Sequence, residues 1–134
     1  MIPSNTGFLN ENLKIKEPPS CCYRMDIENK TVRGTIDSKE AVKQSVYRIL
    51  NTERYKYIIY PWWYGIETQD LYGKPVTYVC PELERRIKEA LAVDSRILSV
   101  SDFTFDTAIK GVVGISFVVR TVYGEIKAGK EVKV

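Results

Sequence analysis

Acidic side chains are the residues of this sequence that most readily suggest chemistry. Glycosidases use two carboxyl groups roughly 5–9.5 Å apart in a cleft, and among 17 Asp and Glu residues some close pair is expected. Glu53 is the carboxylate of most interest because it extends an apolar helical stripe, where a charge without a partner is costly. We therefore predict that Glu53 pairs with an arginine such as Arg54 or Arg96. A glycan-cleaving or glycan-binding protein is the alternative that the carboxylates leave open.

Other catalytic constellations are missing from the sequence. The chain contains no histidine, which excludes Ser-His-Asp and Cys-His sites. The glycine-containing segment 111–114 lacks the lysine of a phosphate-binding loop. The three cysteines, Cys21, Cys22 and Cys80, form no CxxC motif and have no histidine to complete a metal site. The sequence therefore predicts a protein that is not an enzyme and that has no catalytic residue, cofactor or metal ion.

Aromatic side chains are concentrated in one short segment, residues 55–64, which contains both tryptophans of the chain. Tryptophan and tyrosine are favoured at the energetic centres of protein interfaces. Trp62, Trp63 and Tyr64 are therefore predicted to be interface residues. The alternatives are that part of the cluster fills the core, or that its rings stack on sugars.

Charge and hydropathy narrow the class of partner. The net charge is +3, and Lys and Arg are interleaved with Asp and Glu, which does not predict the basic face of a nucleic-acid-binding domain. No apolar run approaches the roughly 20 residues that span a bilayer. The first residues lack the features of a signal peptide. The sequence thus predicts a protein made in the cytoplasm that binds neither nucleic acid nor membrane.

The length of 134 residues is sufficient for one domain, and periodicity predicts its first elements. Residues 1–20 are predicted to be an extended arm ahead of a domain over 21–134, because prolines interrupt a weak alternation. Period-two alternation predicts a hairpin over 23–36. Asp37 is predicted to cap a helix that runs to about Asn51 and carries an apolar stripe on one face.

The middle of the chain predicts a strand, a helix and a second strand. Residues 57–60 form an apolar run that a proline stops, which predicts a strand. A second helix is predicted from Pro81 to about Val93, because proline suits the first helical position. Residues 96–105 form a strand candidate that needs a bulge near Ser101 to place its apolar residues on one face.

The C-terminal part predicts two further kinds of strand. Residues 112–123 are apolar on both parities, which is typical of a central strand. Segments 125–127 and 131–134 alternate apolar with charged residues, as edge strands do. The complete order is ββ-α-β-α-βββ. It predicts an α+β fold in which two helices pack on a small, mainly antiparallel sheet.

Three segments together resemble a known family. Residues 44–55 read QSVYRILNTERY, residues 83–91 read LERRIKEAL, and residues 94–103 read DSRILSVSDF. Their order and spacing, within residues 22–134, are similar to those of the sheath initiators of contractile phage tails and related injection systems. These are baseplate wedge proteins that have also been described as lysozyme-like. Asp94-Ser95-Arg96 stands where many relatives carry Glu-Pro-Arg, so the arginine is retained and the rigid proline turn is not.

The resemblance implies a structural role and a handshake-like domain related to that of the sheath. Six copies would form a ring around the tube and offer a sheet edge to the arms of the first sheath layer, by β-augmentation. The implied partners are the tail sheath protein and other baseplate wedge, hub and tube proteins. Assembly would take place in the cytoplasm, and the protein would then remain in the particle. Asp94, Arg96 and Glu53 would act as a structural or interface ion pair. The implied partner-binding edge residues are Ile126, Lys127, Val132 and Val134.

Overall fold

The computed structural model describes residues 20–134, so the arm predicted over residues 1–20 lies, except for Ser20, outside the described residues. The described chain forms a hairpin, two helices, a 3-10 turn and three longer strands. In order these are β1 (Cys22–Asp26), β2 (Thr31–Ile36), α1 (Ser38–Leu50), the 3-10 turn (Gln69–Leu71), α2 (Val76–Leu91), β3 (Ile97–Asp106), β4 (Val112–Thr121) and β5 (Gly124–Lys133). The predicted α+β class is confirmed.

The strands form two sheets, and the pairings between them are antiparallel. β1 and β2 pair with each other, so the predicted hairpin is separate from the main sheet. The main sheet has the order β3-β4-β5. β4 is therefore central and β5 lies at an edge, as their hydrophobic patterns predict.

The core lies between one face of the main sheet and the two helices. Apolar residues recur every three or four positions along α1 and α2, which places them on one side of each helix. These residues pack against the inward side chains of β4 and β5. Buried members include Val42, Val46, Ile49, Leu50, Leu83, Ile87, Val113, Phe117, Val119 and Ile126. The burial of each large side chain contributes roughly 1.5–3 kcal/mol to folding, and the stripe predicted for the first helix is confirmed.

Side chains form hydrogen bonds at both ends of α1. Asp37 is the N-cap, as predicted, and its carboxylate accepts a hydrogen bond from the Ser38 backbone N–H at 2.6 Å. At the other end, the Leu50 carbonyl accepts a hydrogen bond from the ammonium group of Lys130 on β5. A cation is favourable there because the last carbonyls of a helix have no helical partner. This contact ties α1 to β5.

Gln44 of α1 holds the β1–β2 hairpin. Its Oε1 accepts a hydrogen bond from the Met25 backbone N–H at 2.9 Å, and its Nε2 donates to the Tyr23 carbonyl at 2.8 Å. Ile36, at the end of β2, is buried. The hairpin therefore lies against α1 through the Gln44 amide and the apolar Ile36, with an exposed ion pair between Arg24 and Glu40 at 3.3 Å.

α2 begins earlier than predicted. The sequence assigned Pro81 to the first helical position, but Pro81 lies inside a helix that starts at Val76. Val79 is completely buried in the core, and its burial favours the additional N-terminal turn. Pro75 is the N-cap instead, and its carbonyl accepts a hydrogen bond from the Val79 N–H at 3.1 Å.

The strand predicted over residues 57–60 is wrong, because these residues form turns. A strand needs a neighbour for its main-chain groups, and no named strand of the described part pairs with this run. The backbone bonds locally instead, with the Tyr60 N–H donating to the Tyr57 carbonyl at 3.3 Å. The observed order is thus ββ-α-α-βββ. We call residues 54–65 the aromatic loop.

β3 contains the predicted bulge. Its pairing with β4 changes register around Asp102, whose φ is +56°. The change brings Val100, Phe103 and Phe105 against the same core. Leu98, which simple alternation predicts on the face of Val100, is exposed instead, because the register also shifts between Ile97 and Ser99. A strand with uninterrupted alternation would have turned Val100 and the two phenylalanines to opposite faces.

Candidate functional site

Asp94 and Arg96 form an ion pair in the turn that joins α2 to β3. Arg96 donates from Nε to Asp94 Oδ1 at 2.9 Å and from Nη2 to Oδ2 at 2.7 Å, which is a bidentate geometry. The Ser45 hydroxyl of α1 donates to Asp94 Oδ2 at 3.2 Å. The pair therefore also fastens the turn to α1.

The same turn is also held by its backbone, although its middle residue is Ser95 and not a proline. The Arg96 N–H donates to Asp94 Oδ1 at 3.0 Å, so the short aspartate side chain bonds the main chain two residues on. The Asp94 N–H donates to the Leu91 carbonyl at 3.2 Å, and the Arg96 carbonyl accepts from the Val122 N–H at 3.0 Å. A longer glutamate could not make the two-residue contact with the same geometry, so aspartate suits a turn without proline.

The electrostatics keep both partners charged. Burial raises the pKa of the Asp94 carboxyl, but the hydrogen bonds and charge of Arg96, with the Ser45 hydroxyl, outweigh burial and hold the pKa below its usual range. The bond to Asp94 raises the pKa of Arg96. The Asp94 side chain is only 10% exposed, so solvent and salt screen this pair less than a surface pair.

Asp94 and Arg96 line a pocket of about 460 Å³, together with Trp63 and Tyr64 of the aromatic loop. The rest of the wall is formed by Ser20, Ser45, Ile49, Ala90, Val93, Ser95 and Tyr123. Burial raises the pKa of Tyr64, whose hydroxyl therefore stays protonated. The structure thus brings the ion pair and two of the aromatic candidates into one site, although the sequence assigned them to separate roles.

The three predicted aromatic residues differ in exposure. Tyr64 packs against the core, and Trp63 is partly exposed at the wall of the pocket. Trp62 is 73% exposed. The cluster is therefore divided between the core, the pocket and the open surface.

Chemically, the pocket is suited to binding. Its lining includes one carboxylate, Asp94, which Arg96 holds ionised. Glycosidases use two carboxyl groups, one of which must be protonated. Among residues 20–134, no group of three acidic or cysteine side chains is placed to hold a metal ion.

The helices of the described part are too short or too polar to cross a bilayer.

The sequence suggested that Glu53 would pair with Arg54 or Arg96. In the structure it forms no such pair, and its carboxylate bonds to Thr68 and Gln69 instead. Its carboxylate accepts hydrogen bonds from the backbone N–H groups of Thr68 and Gln69 at 2.8 and 3.1 Å. The Thr68 hydroxyl donates to the other carboxylate oxygen at 2.7 Å. The first N–H groups of a helical turn have no partner within it. These N–H groups therefore gain a partner in the Glu53 carboxylate, and the carboxylate gains the hydrogen bonds that an arginine would have supplied.

The predicted edge residues do not share one face. Ile126 and Val132 are buried against the helices, and Val134 packs at the margin of the core. Lys127 is exposed. Of the four, only Lys127 can present its side chain to a partner, while the other three hold β5 in place.

Lys130 is the residue that the sequence reasoning missed. Its side chain points inward with those of Ile126 and Val132, and its ammonium reaches the end of α1. Burial lowers the pKa of Lys130, and the nearby charge of Glu53 opposes that effect. Counting positions by two from Ile126 would have found it, because strand side chains alternate between faces.

Comparisons with known proteins bear on these surfaces. The model of the contractile injection system sheath initiator family matches residues 22–124, which include the aromatic loop, all residues of the pocket except Ser20, and the sheet as far as the start of β5. The phage-like element PBSX protein XkdS of Bacillus subtilis (strain 168) is 38% identical over 109 residues, which cover 78% of this chain and 77% of that protein.

Proposed function

Because the chain belongs to the sheath initiator family of contractile injection systems, we propose that its strand β5 accepts a strand from a sheath subunit and so starts sheath polymerisation. Family membership supports a structural role in the baseplate of a contractile phage tail or tail-like particle. The mode of binding would be β-augmentation, in which an incoming strand bonds to the main chain of an exposed sheet edge.

The observation that carries this proposal is the regularity of the β5 edge. The main sheet has two edges, β3 and β5. β3 changes register twice and includes Asp102 with a positive φ, and such bulges protect an edge from further pairing. β5 pairs with β4 from Gly124 to Lys133 without a shift. β5 is therefore the edge that an additional strand can follow over its full length.

The alternation of hydrogen bonds shows which main-chain groups of β5 point outward. In an antiparallel pair, residues that bond to the neighbouring strand alternate with residues whose N–H and C=O groups point away from it. The Val134 N–H donates to the Gly111 carbonyl at 2.9 Å, so even-numbered positions bond towards β4. Odd-numbered positions from Glu125 to Lys133 therefore present their main-chain groups to a new strand.

The side chains at the outward positions supply a register. They alternate in charge on the face of the sheet that the helices do not cover, in the order Glu125, Lys127, Gly129, Glu131 and Lys133. Opposite charges directly across two strands contribute roughly 0.2–1 kcal/mol each, and like charges destabilise. A sheath strand with the complementary pattern would be selected in one register.

The remaining surfaces fit the rest of the proposed assembly. The pocket around Asp94 and Arg96 combines a fixed ion pair with partly exposed aromatic rings, which is a suitable contact for another baseplate protein. In the proposed particle six copies surround the tube, next to the wedge, hub and tube proteins. Assembly would take place in the cytoplasm before the particle is complete.

The substitution Lys127→Pro tests the edge. Proline removes the outward N–H at this position and leaves the bonds to β4 intact, so an edge strand tolerates it. We expect the melting temperature to change by no more than about 3 °C. Short sheath polymers, counted by electron microscopy after mixing with the sheath subunit of the same particle, should become at least about tenfold rarer.

Lys127→Thr is the matched control, because it removes the same charge but keeps the N–H. It should nucleate sheath at close to the normal level. A Lys127→Pro protein that nucleates as well as the wild type would rule out β5 as the acceptor. Deletion of residues 130–134 is a less informative variant, because it would also remove the buried Val132 and the Lys130 contact with α1.

A further inference from the structure

The aromatic loop is closed at its base. The Arg54 N–H donates to the Ile66 carbonyl at 3.1 Å, and the Ile66 N–H donates to the Thr52 carbonyl at 3.0 Å. Gly65 lies between these contacts with a φ of +93°, and a Cβ there would be 2.5 Å from the Thr52 carbonyl oxygen. Glycine is therefore required for closure. The loop has the size and the close ends of an Ω-loop.

Stacked rings make the loop rigid. Tyr60 stacks on Tyr64 with a centroid distance of 4.7 Å, and Tyr57 meets Tyr60 edge to face at 6.2 Å. The Tyr64 N–H donates to the Pro61 carbonyl at 3.0 Å. A loop that is already ordered loses little conformational entropy when it binds.

The tip of this rigid loop is apolar and exposed. Ile58, Ile59 and Trp62 have exposed fractions of 103%, 82% and 73%. We call these three residues the knob. The only Lys, Arg, Asp or Glu in residues 55–63 is Lys56. A contiguous apolar protrusion with a tryptophan is typical of a surface that another molecule covers.

The same chain carries a groove whose lining is partly apolar and partly acidic. It lies between the β1–β2 hairpin and α1 and has a volume of about 560 Å³. Its apolar lining residues are Met25, Ile27, Ile36 and Tyr47. Its charged lining residues are Asp26, Glu28 and Glu40 against Arg24 and Lys43. The lining therefore has one more negative than positive charge, which suits an apolar knob that has Lys56 beside it in the same loop.

We propose that the knob of one copy binds in the hairpin–α1 groove of a second copy of this chain. The side chains of Ile58 and Ile59 would contact the apolar lining, and Lys56 would approach the rim at Glu28, which has no ion-pair partner in the described part of the chain. This contact would join neighbouring copies in the proposed ring, and the ring itself rests on the proposed function.

The position of the two surfaces determines the symmetry. The knob follows the C-terminal end of α1, whereas the groove is lined by residues along one side of that helix, from Glu40 to Tyr47. A contact between two different surfaces is head-to-tail, and it generates a ring or a helix in place of a closed dimer. Each copy in a ring would use its knob on one side and its groove on the other.

Sedimentation velocity of the full chain tests the contact without any sheath protein, so its result does not depend on nucleation. The weight-average sedimentation coefficient of the wild type should rise between about 10 µM and about 1 mM, the concentration range in which proteins with interfaces below the standard size associate. Ile58→Asp should weaken this association at least about tenfold, because it places a charge in an apolar groove. Ile109→Asp is the matched control, since Ile109 is an exposed isoleucine in the β3–β4 loop.

A mixing experiment tests the head-to-tail geometry. Ile27→Asp alters the groove at a residue that is 52% exposed, and it should also prevent self-association. Each variant alone is then monomeric, but an equimolar mixture of Ile58→Asp and Ile27→Asp retains one intact knob and one intact groove. The mixture should form dimers and nothing larger.

Three results would each overturn the proposal: a wild type that stays monomeric, equal association by Ile58→Asp and Ile109→Asp, or no dimer in the mixture. Knob-dependent binding to vesicles that contain phosphatidylglycerol, without self-association, would assign the knob to a lipid surface instead. If Lys127→Pro nucleates sheath normally while Ile58→Asp prevents self-association, the edge proposal fails and the knob–groove contact stands.

Discussion

The short side chain of Asp94 holds the turn between α2 and β3. It accepts hydrogen bonds from the guanidinium and the backbone N–H of Arg96 and from the Ser45 hydroxyl. The turn therefore depends on this ion pair and on the hydrogen bonds to the Asp94 carboxylate, since Ser95 does not fix φ as a proline would. Two measurements follow from that dependence.

Arg96→Ala should lower the free energy of unfolding by about 1–3 kcal/mol, because it leaves the carboxylate of Asp94 partly buried without its partner. Urea unfolding measures the change. Arg120→Ala is the matched control, since Arg120 and Glu125 form a pair in which both side chains are mostly exposed. That control should change stability by less than about 0.5 kcal/mol. Equal losses in the two variants would contradict a structural role for the Asp94–Arg96 pair.

Acid should remove the stabilising effect of Asp94. The pKa of Asp94 is lower in the folded protein than its usual value, so folding is favoured by this group above the unfolded pKa of about 3.9, and the benefit is lost as the pH falls through the folded pKa. The difference in unfolding free energy between the wild type and Asp94→Asn should therefore shrink between about pH 5 and about pH 2. Hydrogen bonds to arginines also lower the pKa values of the Asp70 and Glu82 carboxyl groups, but these groups are present in both proteins, so the difference isolates Asp94. A pH-independent difference would refute the assignment.

At the scale of elements, tertiary contacts overrode local propensity in two segments. α2 includes Pro81 because the turn before it buries Val79. Residues 57–60 have the composition of a strand but no neighbour to pair with, so they became part of the aromatic loop. Local sequence preference is a weak prior that tertiary contacts override.

Pro81→Ala should stabilise α2. Proline inside a helix removes one hydrogen bond and crowds the carbonyl four residues earlier, while its loss releases some unfolded-state entropy, so we expect a net gain of about 1–2 kcal/mol. Thermal and urea unfolding measure the gain. Pro75→Ala is the control, because Pro75 lies at the N-cap and removes no helical hydrogen bond. If both alanine variants change stability alike, Pro81 does not strain the helix.

At the scale of the molecule, α1 connects every surface described above. Gln44 holds the hairpin, Ser45 holds the Asp94–Arg96 turn, and the Leu50 carbonyl bonds Lys130 of the β5 edge. The aromatic loop begins just after its C-terminal end. The proposed sheath-binding edge, the pocket and the knob–groove pair therefore keep fixed positions relative to one helix, which is what a component that sets the geometry of an assembly requires.

The sequence determined the features that depend on periodicity. The apolar stripes of the helices, the bulge in β3, the central position of β4 and the edge position of β5 all follow from patterns of two or three to four residues. These patterns, together with the order of the short motifs, were sufficient for the α+β class and the family.

Only the tertiary structure decided which groups meet. The alternation of side chains along the sequence does not predict that Lys130 reaches the end of α1 or that Glu53 bonds to Thr68 and not to Arg96. Nor does it predict that Trp63 and Arg96 line one pocket. Charged side chains have several partners within reach along a chain, and the choice among them depends on packing between elements that are distant in sequence. Periodicity fixes the face on which a residue lies, whereas its partner is fixed by the element that packs against that face.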